Sequence, residues 1–514
     1  MSAKAMLAGD FATLPDLIRA HAAERGTAVA LWCDDHPLDY ATLDARADGV
    51  AATLQRAGIA PGRAIAFLGE NGPGHIVAFV GALRAGCVPA PLATSLTDAQ
   101  VAAMLGDCDA ALLFADADQA ARKLPGGVPV APLDADGLAC WVGDAAAPVP
   151  APRGPDDAFN IIYSSGTTGT PKGIVQSHAM RWVHIAHAPP GFDTAVTMVA
   201  TPLYSNTTWI SVLPTLGWGG TVVLMRRFDA RGYVTLAERH RGTHTMLVPV
   251  QYQRIMALDD FDRYDLSSFR LKTCTSAPFD AALKADILAR WPGMLVEYYG
   301  ISEGGGTTML VCNAHPDKLG SVGRPLDGHE IRLVDADGRE VPTGAVGEVV
   351  SRARAIMSGY HGRDDATAAA TWVAPDGTRY LRHGDLGRLD ADGFLTLVGR
   401  TRDMIVSGGF NIYPVDIEAV LLDHPGVDEC AVFGVPSERW GETPVACFVG
   451  TADPATLRDW CNARVARVQR LAAVHRVDAL PRNALGKVLK RVLEQEYAAH
   501  VPDRAGAALG EEQH

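Results

Sequence analysis

One short string carries most of the chemistry that can be read from this sequence. Residues 163–173 run Tyr-Ser-Ser-Gly-Thr-Thr-Gly-Thr-Pro-Lys-Gly. Gly166 and Gly169 let the backbone curl so that several N–H groups point at one spot, an anion nest. Ser164, Ser165, Thr167, Thr168 and Thr170 add hydroxyl donors, and Lys172 adds a point charge. That is the donor set a nucleotide polyphosphate needs. The string is not a Walker A loop, because Pro171 precedes Lys172 and Gly173 follows it where that motif needs Gly-Lys-Ser/Thr. The bland alternative is a solvated Ser/Thr/Gly surface loop. A position directly after the apolar run Phe-Asn-Ile-Ile-Tyr argues for the functional reading.

A loop of this kind must be held by strands, and the flanking sequence supplies them. AIAFLG (64–69), FNIIYSS, TVVLMRRF, THTMLVPV, LKTCTSA and LVEYYG read as strands. Helical stretches at 75–85, 230–241, 251–258 and 279–291 lie among them. Such alternation implies largely parallel sheets with helices on their faces. From about 328 the texture becomes alternating strands joined by Asp-Gly turns, which predicts a small antiparallel barrel or sheet. After Arg400, Pro414 opens a helix with the stripe Ile417, Val420, Leu421, and a small α+β domain follows. The fold class is therefore α/β. It has a large N-terminal domain over 1–400 built of two mostly parallel sheets plus the small barrel, and a mobile α+β C-terminal domain over 403–514.

The bulk numbers exclude other classes. The chain has 514 residues, 48% apolar and 20% charged, which supports a large core and excludes a disordered chain. Asp plus Glu is 59 and Lys plus Arg 46, a net charge of −13, which argues against a general nucleic-acid binder; a polyanion would have to be held by local basic groups. No apolar run is long enough to span a membrane, and the N-terminus shows no secretory signal, so neither stable membrane insertion nor export is expected. Nine scattered cysteines with no C-x-x-C predict reduced thiols and a cytoplasmic protein.

The loop, together with four further motifs in order, resembles the adenylate-forming superfamily: acyl-CoA synthetases, adenylation domains and luciferases. The four are Tyr298-Tyr-Gly-Ile-Ser-Glu303, His-Gly-Asp-Leu-Gly around Asp385, GRTRDMIVSGGFNIYP (399–414) and PRNALGKVLKR (481–491). The resemblance covers almost the whole chain. It implies ATP-dependent activation of a carboxylic acid as acyl-AMP, then transfer to the thiol of CoA. ATP, Mg²⁺ and CoA are the implied cofactors and co-substrates. On this resemblance the 164–172 loop holds the β- and γ-phosphates, Ser302 donates to the α-phosphate, and Glu303 binds Mg²⁺. Asp385 and Arg400 take the ribose. Tyr299, between Tyr298 and Gly300, stacks on adenine. Ser276, Ala277 and Pro278 lie at the adenine edge, departing from a commoner Gly-rich form. Lys487 is the catalytic lysine, with Lys490 a nearby control. Arg402 stands at the 401–402 hinge where Asp or Lys is usual. Rotation there brings in Gly408 and Gly409, which line a pantetheine tunnel.

The segments that line family acyl pockets map to 204–210, 274–277 and 300–306. Tyr204 is followed by Ser205, so a His role found in many relatives is lost. Trp209 is expected as an aromatic wall. Gly304, Gly305 and Gly306 either open a wide slot for an aryl, cyclic or medium-to-long acyl group, or serve backbone geometry alone. No basic residue lies in these segments, which disfavours an acid with a second carboxylate.

The competing readings are a stand-alone adenylation enzyme that loads a carrier-protein thiol, a luciferase-like oxygenase and a non-catalytic nucleotide-binding module. The expected partners are a small carboxylic acid, ATP and CoA. A homodimer stays open, as does a lysine acetyltransferase acting on Lys487, which would remove its charge.

Overall fold

The computed structural model describes residues 1–122, 124, 127–144, 147–163, 172–408, 410–437, 439–483 and 486–500. Packing divides the chain into two compact units, one of residues 1–331 with 351–381, the other of 332–350 with 382–514.

The first unit holds the expected parallel sheets. A nine-stranded sheet runs in the order Arg324–Pro325, Thr308–Val311, Met294–Tyr299, Leu271–Cys274, His244–Leu247, Val196–Val199, Thr221–Leu224, Val29–Cys33, His36–Asp39. Its six inner strands are parallel and its edges antiparallel. Parallel strands are buried on both faces, which is why they read as continuous apolar runs. Ala64–Leu68, the centre of a second, all-parallel sheet of four strands, is buried at every position. The central helix Pro73–Arg84 starts on a proline and is buried throughout after it.

A third sheet positions the phosphate loop. Ala158–Tyr163 and Gly173–Ser177 pair antiparallel, so the loop is their connection. Gly359–Tyr360 adds to the other side of Gly173–Ser177, with Tyr360 opposite Ile174. The helix His178–Ala186 follows at once, capped by the Ser177 hydroxyl, which accepts from Met180 N at 3.1 Å.

The Asp-Gly hairpins form as the sequence predicts. Glu330–Val334, Val346–Arg352, Arg379–Leu389 and Thr371–Val373 make a sheet in that order, with Leu395–Arg400 paired to Arg379–Leu389, and the division between the units falls within these strands. In the D-A-D-G turns at 335–338 and 390–393 the first Asp accepts from the backbone two residues on, at 2.9 Å, and the glycine takes a left-handed φ.

In the second unit, Phe410–Ile412, Ile405–Ser407, Gly441–Gly450 and Val427–Ser437 form one sheet, and Ala473–Arg476 pairs with Gly441–Gly450. The predicted stripe holds, since Ile417 and Leu421 are fully buried and Val420 packs beside them. Arg402 lies in a single turn, Thr401–Asp403, inside this unit. All nine cysteines are free, and seven are buried.

Candidate functional site

In the first unit Glu303, Tyr360 and Lys172 converge. The Tyr360 hydroxyl donates to Glu303 Oε1 at 2.8 Å. Lys172 Nζ sits 5.3 Å from the centre of the Tyr360 ring. Burial, then the Glu303 charge, push the Tyr360 hydroxyl well above the ordinary phenol range, so it stays a donor. Asp107 anchors the start of the loop and the segment bearing Tyr360. It accepts from the Tyr163 hydroxyl at 2.8 Å and from Arg363 at 2.6 Å, and its carbonyl lies 2.8 Å from His361 Nδ1. The loop's start and the segment bearing Tyr360 are thus tied to one residue. Ser164, Ser165, Gly166, Thr167, Thr168, Gly169 and Thr170 lie outside the described residues.

Ser302 follows the strand Met294–Tyr299, and its carbonyl accepts from Gln176 Nε2 at 2.7 Å. Tyr298 and Tyr299 point to opposite faces of that strand, as alternation requires. Tyr298 packs against the cluster of Phe192 and Val296, which leaves Tyr299 for the other face. Ser276 adopts a left-handed φ of 82°, unusual for a residue with a side chain. This explains why a Gly-rich form is natural there. Its hydroxyl lies 2.6 Å from that of Thr207, a bond a glycine would lack. Ala277 is half-buried; Pro278 and Gly300 are exposed.

The acyl-pocket segments pack differently from the wide-slot expectation. Trp209 is fully buried in the main core, stacked on Phe79 at 3.8 Å, with its indole N–H donating to the Leu203 carbonyl. A fully buried indole, stacked on one face and bonded at its edge, belongs to the core, not to an open wall. The three glycines leave no vacant slot. A Cβ on Gly304 would meet the Ala355 carbonyl at 2.3 Å, one on Gly305 would meet Leu381 at 2.8 Å, and one on Gly306 would meet Ser351 at 2.6 Å. Gly304 and Gly305 also have φ near +80° (78° and 82°). Close approach and backbone geometry account for all three. Tyr204 is half-buried, its hydroxyl pushed up to about 12 by burial and then by Glu70.

Two features went unseen in the sequence. Tyr360 carries no motif of its own, and only the sheet register brings it to Glu303. Arg181 and His184 lie on the helix after the loop, and Arg181 bonds Asn206, inside the 204–210 segment. The absence of bases from the three segments therefore does not make that surrounding free of positive charge. A cation inside an otherwise apolar helical stretch was the available signal.

In the second unit Asp385 and Arg400 stand directly opposite one another across an antiparallel pair. Arg400 Nε lies 3.1 Å from Asp385 Oδ1, and the carboxylate is nearly buried. His383 is held down at about 4, chiefly by burial, so it is neutral near pH 7 and adds no charge. Lys487 sits on a tight turn closed by the Arg482–Val488 bridge, with Asn483 Oδ1 accepting its backbone N–H at 2.9 Å. Burial, then repulsion by Arg400, lower its ammonium to about 8, while Asp385 opposes them. Lys490, by contrast, is bound to Glu418 at 2.7 Å and to the Val432 carbonyl at 2.8 Å, a structural lysine. Gly408 has φ +57° and faces the Trp440 ring, where a Cβ would sit at 3.0 Å. Gly409 lies outside the described residues.

Family models match both parts of the chain: "AMP-binding enzyme" over residues 18–361, and its C-terminal domain over 416–487. A feruloyl-CoA synthase from an Amycolatopsis species is 35% identical over 475 residues, covering 90% of this chain and 94% of that protein. A fatty acid–[acyl-carrier-protein] ligase from Streptomyces coeruleorubidus is 31% identical, covering 94% and 96%. The crystal structure of ATP-bound MatB from Rhodopseudomonas palustris aligns with a TM-score of 0.83 at 28% identity, covering 94% and 99%. The chain belongs to the AMP-binding, adenylate-forming enzymes. Within that family it is an AMP-forming acid–thiol ligase, an acyl-CoA synthetase in class.

A step that uses the Lys487 ammonium has a defined pH limit. The group is charged below its value of about 8 and loses the proton above it. For adenylation, kcat/KM for ATP should fall as pH rises through about 8. The kcat limb should lie higher, because bound phosphate favours the charged form. Initial rates of pyrophosphate release from pH 6 to 10 check this; a flat kcat/KM across that range would contradict it.

Proposed function

We propose that the chain activates an aryl or other bulky carboxylic acid with ATP and transfers it to CoA. In the first step an acid oxygen attacks the α-phosphorus, the bond to pyrophosphate breaks, and acyl-AMP forms. In the second a thiol attacks the acyl carbon and AMP leaves. Two anions meet in the first step, so fixed positive charge matters more than a base.

The observation that carries this reading is the grouping of the half-buried Lys487 ammonium with the Asp385–Arg400 pair. Asp385 and Arg400 hold the ribose, and Lys487 bridges the carboxylate and α-phosphate as charge shifts between them. Lys172 and the 164–170 loop take the β- and γ-phosphates. Ser302 donates to the α-phosphate, Tyr299 stacks on adenine, and Ser276, Ala277 and Pro278 border its edge. A single carboxylate suits Mg²⁺, which draws its other ligands from phosphate and water, and Glu303 held by Tyr360 fits that need. Bound there, the ion would neutralise phosphate charge. Arg402 serves as the hinge, and Gly408 and Gly409 line the thiol's approach after rotation.

The aryl assignment is supported by the feruloyl-CoA synthase relative. The carrier-protein alternative is kept by the relative named as an acyl-carrier-protein ligase. A panel of aryl, cyclic and fatty acids, assayed for AMP release with CoA or with a holo-carrier protein, separates the two. We expect acyl-CoA by mass detection with an aryl acid. Carrier-dependent turnover with CoA inert would overturn the CoA reading.

Tyr360→Phe should raise the Mg²⁺ concentration for half-maximal adenylation about tenfold, the loss expected for one hydrogen bond to a charged group. An unchanged Mg²⁺ titration would show that Tyr360 does not position Glu303.

A further inference from the structure

The helix His178–Ala186 carries a polar face that none of the roles above uses. At about 100° per residue, Met180, Arg181 and His184 fall within one arc of roughly 100°. That arc meets two of the acyl-pocket segments. Met180 Cε lies 2.9 Å from where a Cβ on Gly304 would stand. Arg181 Nη2 donates to Asn206 Oδ1 at 2.8 Å and also to Gln176 Oε1, and Gln176 holds the Ser302 carbonyl. His184 senses the charge of Arg181 and of His329, whose ring accepts from Thr307 N at 2.9 Å.

Arg181 is only 1% exposed. Its described partners are neutral amide oxygens: Asn160 Oδ1 at 3.2 Å from Nε, with Gln176 and Asn206 on Nη2. Among the described residues no carboxylate forms a salt bridge with it. Nη1 is buried without a partner, and so are Asn160 Nδ2 and His184 Nδ1. Burial lowers the guanidinium only to about 9, so it stays charged near neutral pH. A buried cation without a counter-charge is strongly unfavourable, and its own orphaned Nη1, with the two orphaned atoms of Asn160 and His184, needs a common explanation. The Phe159 ring, 5.9 Å from the guanidinium, supplies only a π-face.

We propose that Arg181, with Asn160 and His184, forms a specificity subsite for an oxygen acceptor on the acid, remote from its reacting carboxyl group, with an anionic oxygen preferred. The inference rests on the ligase reading and adds the substrate class: an aryl acid bearing a ring hydroxyl or a second carboxylate. A site built to bond such an oxygen discriminates sharply against the analogue lacking it, because its own groups are then left unpaired.

The test uses the full chain and matched acids: benzoate, phenylacetate and cinnamate, each plain and with a ring hydroxyl or carboxyl at each position. The readouts are kcat and KM for pyrophosphate release, and calorimetric affinity for each acid without turnover. Wild type should favour at least one oxygen-bearing acid over its plain parent by tenfold or more. Arg181→Met should bring that ratio to within about threefold of one. His184→Leu should lower the ratio partway, and serves as the test where Arg181→Met does not fold. A wild-type ratio near one would mean that solvent fills the subsite, and would overturn the proposal. Equal loss with every acid would reduce Arg181 to holding the Ser302 segment. Binding that keeps the ratio without turnover would sink the ligase reading and leave the subsite standing. Turnover with a flat ratio would do the reverse.

Discussion

Joining a carboxylate to a polyphosphate requires positive charge that is held in place but not already neutralised. The rest of the architecture follows from that constraint. A cation locked to a carboxylate is spent on the fold, as Lys490 is on Glu418 and Lys284 on Glu297. The chain keeps other cations apart from such pairing. Lys172 lies over the face of Tyr360. Lys487 is half-buried with no salt bridge among the described residues, and its lowered value records its desolvation and the repulsion of Arg400. Arg181 is surrounded by amide oxygens, which orient a guanidinium without cancelling it. An acidic protein can handle polyanionic substrates because such local groups outweigh the global field at short range.

Holding these groups is the work of the sheets. The antiparallel register that sets Asp385 against Arg400 and the added strand that sets Tyr360 beside Lys172 are both long-range pairings. Asp107 gathers Tyr163, His361 and Arg363, so a helix end braces the start of the loop and the segment bearing Tyr360. Tight backbone contacts do the same for the segment after Ser302, where Gly304 and Gly305 allow it to pack against Ala355 and Leu381. A side chain at either position would push the Ser302–Glu303 backbone off its place before it changed any substrate preference.

Local signals in the sequence were enough for the strand–helix alternation, the Asp-Gly hairpins, the Ile417–Leu421 stripe and the family motifs. Each of those depends on residues close in the chain. What could not be read depends on register and packing. Tyr360 stands 57 residues from the Glu303 it holds. Trp209 looked like a wall because it lies in a pocket segment, but the helix Asn206–Trp218 turns it onto Phe79 in the core. The glycine run offered two explanations, and only the positions of Ala355, Leu381 and Ser351 decide for backbone geometry. Arg181 was not singled out in the sequence, since its burial and missing counter-charge depend on Asn160, Gln176 and Asn206 brought in from other elements.

The central claim is that the Lys487 charge serves the meeting of two anions and nothing later. The most direct measurement takes Lys487→Ala through each half-reaction separately. Pyrophosphate release in a single turnover should be lost, by roughly a hundredfold or more as for removal of a charge-stabilising group. Thioester formation from supplied acyl-adenylate and CoA should stay within a few-fold of wild type. Equal loss in both half-reactions would contradict the account.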